Sequence, residues 1–152
     1  MTWAELEAIV RGRDAGVVTM ASVPRPPGLD ARDVADTVAE SVRYKAIGPR
    51  WLPLRAGEAA RVLCLVLTQD LAYGASLMAA SVAEQLAAAF TAHVGPEASF
   101  FTNGSWAEAP IVGAGGIVRG PSWQPITSAT FDAGVVGVGS DHAAILWVED
   151  ED

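Results

Sequence analysis

Residues 61–68 read Arg61-Val62-Leu63-Cys64-Leu65-Val66-Leu67-Thr68, six consecutive apolar side chains closed by an arginine and a threonine. An apolar run without alternation fits a strand covered on both faces, as in the centre of a sheet with helices packed on it. The rest of the chain can be ordered around that strand.

Upstream, Thr2 and Glu5 have the spacing of a capping box, in which each side chain satisfies an otherwise orphaned amide. Trp3, Leu6, Ile9 and Val10 then recur at helical spacing, and Gly12 marks a stop. Residues 16–21 (Gly-Val-Val-Thr-Met-Ala) predict a strand, and Pro24-Arg25-Pro26-Pro27-Gly28 breaks it. Asp30 is the expected N-cap of a second helix running to about Ala46, with Val34, Val38 and Val42 forming one stripe. Gly48-Pro49 ends that helix.

Downstream, a third helix is expected over Ala75–His93, with Met78, Val82, Leu86 and Phe90 on one face and Gly95-Pro96 as its terminator. Ser99–Thr102 reads as a strand, and residues 104–125 are rich in Gly, Pro, Trp and Ser. The chain closes in a hairpin, Ser128–Val138 and Ala143–Val148 around the turn Gly139-Ser140-Asp141-His142. That turn sets Val136 opposite Ile145, Gly134 opposite Trp147 and Asp132 opposite Glu149. The expected fold is a single α/β or α+β domain over residues 1–152, a sandwich of about three helices on a mixed five- to six-stranded sheet.

The charges are unevenly divided. Residues 1–61 hold nine Lys or Arg and eight Asp or Glu. Residues 62–152 hold one basic residue, Arg119, and ten acids. The net charge of −8 therefore lies in the second half, and four of its acids close the chain as the tail Glu149-Asp150-Glu151-Asp152. Such a surface repels nucleic acid and anionic membranes and attracts a basic partner. The longest charge-free run in the apolar middle, Leu71–Ala83, falls short of the about 20 residues a membrane span needs. The N-terminus lacks a basic start followed by an apolar stretch, so no secretory signal is expected. One cysteine, Cys64, cannot form an internal disulfide. Placed in an apolar run it is expected to be buried and inert, which fits a cytoplasmic protein.

Motifs that carry chemistry are broken here. Val112-Gly113-Ala114-Gly115-Gly116-Ile117 is glycine-rich but is followed by Val118-Arg119-Gly120-Pro121 instead of a helix, as a phosphate loop requires, and reads as a loop or edge strand. Around Ser76, Met78 stands where a nucleophile elbow needs glycine. Ser140, Asp141 and His142 are adjacent, whereas triad members converge from distant positions. With two histidines, His93 and His142, neither a zinc site nor any other cofactor is expected.

The expectation is therefore a non-enzymatic acidic protein that binds, and inhibits, a basic protein in the manner of immunity proteins and antitoxins. Trp106, Trp123, Asp132, Asp141, Glu149, Asp150, Glu151 and Asp152 are its candidate contacts. The alternative is a small-molecule site at the C-terminal edge of the 61–68 strand, near Asp70, Tyr73 and Ser76.

Overall fold

The computed structural model describes residues 1–152, Val118 by its backbone alone. The chain forms α1 (Trp3–Val10), β1 (Val17–Pro24), α2 (Ala31–Ser41), a 3-10 turn (Gly48–Arg50) and β2 (Leu52–Leu54). It continues as α3 (Ala56–Thr68), α4 (Ala80–Val94), β3 (Ser99–Thr102), β4 (Ile111–Gly113), β5 (Gly116–Arg119), β6 (Phe131–Val138) and β7 (His142–Asp150). Five strands make one sheet in the order β1-β7-β6-β3-β2, and β4 and β5 form a separate two-stranded hairpin. Every neighbouring pair is antiparallel, so the fold is α+β and the expected mixed sheet is not formed.

The strands covered on both faces are β6 and β7. Ala133, Val135, Ala144, Leu146 and Val148 turn to one side, where they pack with residues of α1, α3 and α4. Val136, Val138, Ala143, Ile145 and Trp147 turn to the other, against Val34, Ala35, Val38 and Ala39 of α2 and against Trp51. The hairpin register is the one the turn dictates: Val136 faces Ile145, Gly134 faces Trp147 and Asp132 faces Glu149. At Gly134 a Cβ would lie 2.7 Å from Trp147 Cε3, so the ring occupies the space a side chain would need.

Residues 61–68, expected as a central strand, belong to helix α3. Its buried residues, Ala59, Val62, Leu63, Val66 and Leu67, fall at i, i+3, i+4, i+7 and i+8, the face of an amphipathic helix. Glu58 Oε1 accepts the Arg55 amide at 2.9 Å and closes its first turn. The run looks uniform because the outer face carries Cys64 and Leu65, apolar and only half-buried. Helix α4 begins at Ala80, five residues later than expected. Residues 69–79 instead fold into a tight loop, in which Asp70 Oδ1 accepts the amides of Ala72 and Tyr73 and Ser76 bridges Gln69.

Helix α2 begins as expected, with Asp30 accepting the Asp33 amide at 2.9 Å, but it ends at Ser41. The amides of Arg43 and Tyr44 turn back to the carbonyls of Glu40 and Ala39, both at 2.9 Å, a Schellman closure. Its left-handed position is filled by Arg43 at φ 68°, the one non-glycine residue with positive φ. Relieving that conformation should stabilise the fold: Arg43→Gly is expected to gain about 0.5–1 kcal/mol, read as a raised midpoint in urea unfolding.

Candidate functional site

The ten acids of the second half do not act together. Asp150 is buried and receives the whole guanidinium of Arg13, also buried. Arg13 Nη1 and Nη2 bond its two oxygens at 2.8 and 2.7 Å. The remaining Arg13 donors reach the carbonyls of Val66, Ala15 and Gln69, so all five are used. Leu71 N adds a bond to Asp150 Oδ2 at 2.8 Å. Burial alone would raise the Asp150 pKa; the bonds from Arg13 and Leu71 and the arginine's charge outweigh it and hold the carboxyl below its ordinary value. The pair ties the end of β7 to the α1–β1 loop and the C-terminal turn of α3. Gly16, at φ +56°, permits this closure, because a Cβ there would meet the Glu149 carbonyl and Asp150 Oδ1.

Asp132 is likewise internal. Its carboxylate accepts from Asn103 Nδ2 at 2.7 Å, Trp147 Nε1 at 3.2 Å, the amides of Ile126 and Thr127 at 3.2 and 3.1 Å, and the Thr127 hydroxyl at 3.0 Å. Asn103 Oδ1 in turn accepts Trp106 Nε1 at 2.9 Å. Trp106 is buried and its ring lies 4.9 Å from that of the half-buried Trp123, tilted by 37°, while Trp123 stacks on Phe131 at 5.6 Å. These tryptophans pin the 103–126 loop to the sheet. Glu149, opposite Asp132 in the ladder, accepts from the Tyr44 hydroxyl at 3.0 Å, which also bonds Thr19.

Asp132 and Asp150 are thus corrected from exposed contacts to internal scaffold, since a buried, fully bonded group cannot meet a partner; Trp106, 7% exposed, is mostly internal but lines a groove over α3. Of the others, Asp141, Glu151 and Asp152 are exposed and Glu149 and Trp123 are half-buried. Asp141 stands at the opposite end of β7 from the terminal acids, about 25 Å of strand away. The eight residues therefore form no common face. Only Glu151 and Asp152 lie beyond β7, and Glu151 is held by the Thr130 amide and hydroxyl.

A different surface has the geometry of a site. A groove of about 860 Å³ runs along the outer face of α3, between α4 and the 106–121 segment. Its floor is apolar: Ala60, Cys64, Leu65, Leu71, Trp106 and Ile117 among others. Asp70, Glu84 and Glu108 stand along it against one cation, Arg61. Burial, and then the charge of Glu84, push the Cys64 thiol pKa up, so Cys64 is a neutral thiol facing an acid. The segments that line it also carry exposed apolar side chains. Ile111, Val112 and Ile117 of the β4–β5 hairpin are 55%, 69% and 69% exposed, and Tyr73, beside the groove-lining Gly74, is 73% exposed. Of the three residues expected to mark a small-molecule site, Asp70 lines this groove, beyond the end of a helix rather than a strand, and Tyr73 and Ser76 do not. Cys64, expected to be buried, is half-buried and lines the groove, and Leu65 and Ile117 were not anticipated; the one available signal was an outer helical face with too few charges.

The two histidines also converge. His93 Nε2 is 2.7 Å from Ser22 Oγ, and the His93 ring lies 4.5 Å from Trp3 and 5.6 Å from His142. Burial, then the neighbouring His142, lower the His93 pKa below 6.5. The unfolded chain therefore takes up this proton first, and stability should fall as pH drops below about 6.5. A second loss is expected below 3.8, as protonation of Asp150 removes the Arg13 pairing. Urea midpoints measured from pH 7.5 to 3 should show both declines, and His93→Gln should remove the first alone.

Among the described residues no helix is long and apolar enough to cross a membrane. Comparison with protein-family models, with curated proteins and with solved structures finds no match for the chain.

Proposed function

We propose that this chain is a non-enzymatic binding protein that recognises, and thereby inhibits, a basic protein partner, and that the groove over α3 is where the partner docks. The supporting observation is the groove itself. Soluble proteins keep large apolar side chains scattered, and their concentration on one concave surface marks an interface. Here Ile117, 69% exposed, joins Ala60, Cys64, Leu65 and Leu71 in an apolar lining, and acids outnumber cations along it. The matching ligand is an apolar segment flanked by Lys or Arg. The net charge of −8 steers such a partner from a distance, while the apolar anchors set how long it stays. A single thiol without a disulfide supports a reducing, cytoplasmic setting for this encounter.

The test is capture of proteins from the source cell on the immobilised chain, washed at low and high salt. The expected result is retention of a basic protein that elutes as salt rises. Ile117→Asp should lose it, because a carboxylate would enter the apolar lining, whereas a double change at the exposed tail, Glu151→Gln with Asp152→Asn, should retain it. A second reading, a small apolar ligand, is favoured by the groove volume, which lies within the range of small-molecule sites. Retention of small molecules, with no protein captured, would support it.

A further inference from the structure

The two edges of the main sheet are treated differently. β2 is three residues long with Pro53 at its centre, so it cannot extend the ladder. β1 runs for eight residues, Val17 to Pro24, with no charge, no proline before its last position and no bulge in its pairing with β7. Natural proteins block such an edge unless it is used.

The free groups can be identified. The Arg25 amide donates to the Asp141 carbonyl at 2.9 Å, continuing the β1–β7 ladder. Since main-chain groups alternate sides along a strand, Val17, Thr19, Ala21 and Val23 bond β7, and Val18, Met20 and Ser22 point outward. The Arg11 side chain reaches the Val18 carbonyl at 3.4 Å, which places that carbonyl on the outer side independently. No other hydrogen bond satisfies the outward main-chain groups of these three residues.

We infer that β1 is the interface for a second copy of this chain, the two β1 strands pairing antiparallel about Met20 to make one ten-stranded sheet. Val18 then faces Ser22 of the other copy and Met20 faces Met20, each pair exchanging two main-chain bonds. On the α2 side of the sheet Val17, 55% exposed in the single chain, is covered by Val23, and Thr19 lies against Ala21. The charges favour this direction over a parallel one. Asp14, exposed, precedes the strand and Arg25, half-buried, follows it, so antiparallel pairing sets them one residue apart at both ends of the ladder. A heterologous basic strand has no acid within β1 to select it, whereas the edge is complementary to itself.

Sedimentation equilibrium of the full chain from roughly 5 to 500 μM tests this, a range suited to a small interface. The expected result is a reversible shift from the 15.8 kDa monomer towards twice that mass. Val17→Lys places a charge at an exposed position and should raise the dissociation constant at least about tenfold, with the circular dichroism spectrum unchanged. Asp14→Arg should weaken association similarly by opposing Arg25. A chain that remains monomeric throughout, or a dimer that either variant leaves unweakened, overturns the inference.

Discussion

Arg13→Ala is expected to cost roughly 3–5 kcal/mol and to lower the melting temperature by about 10 °C or more. The loss has two parts. It strands the Asp150 carboxylate, 1% exposed, without its only cation, and it removes the donors of the Val66, Ala15 and Gln69 carbonyls. Asp150→Ala should cost a similar amount, since the guanidinium is then buried without a counter-charge. The paired replacement Arg13→Met with Asp150→Leu should recover much of either loss, because the apolar pair leaves no buried charge. Differential scanning calorimetry of the natural chain, the two alanine variants and the double Arg13→Ala with Asp150→Ala gives the coupling directly. Additive losses would show that the two side chains act independently.

Asp132→Ala is expected to be as damaging, about 3–5 kcal/mol, for a different reason. No cation sits on this carboxylate; its charge is carried by donors from Asn103, Ile126, Thr127 and Trp147. Removing it leaves those donors buried and unmatched and releases the chain of bonds that runs through Asn103 to Trp106. Asp132→Asn keeps the shape but turns an amide towards donors, so it should recover only part of the loss. Tryptophan emission should shift in both variants, because Trp106 and Trp147 lie on this network. Unchanged stability in Asp132→Ala would contradict the assignment of Asp132 to the scaffold.

The hairpin was legible because a four-residue turn between two apolar runs fixes one register, and Gly134 opposite Trp147 follows from it. The capping box at Thr2 and the Asp30 cap were legible for the same local reason. The 61–68 segment was not. A helix normally announces itself by a polar outer face, and here Cys64 and Leu65 remove that signal. The same two residues line the groove, so the feature that disguised the helix is the feature that makes the candidate site. The acidic tail misled in the opposite sense. Charge in a sequence reads as exposed, but Asp132 and Asp150 each found internal donors from segments distant along the chain. Only long-range contacts decide that, and composition carries no record of them.

Cys64 supplies the most direct test of the groove as the docking surface, since it is the chain's one cysteine and lies on the floor. Its alkylation rate is to be measured on the free chain and with the captured basic protein at saturation. A fall of at least about tenfold is expected, reversed when salt releases the partner. A rate that stays constant while the partner is bound would place recognition elsewhere on the molecule.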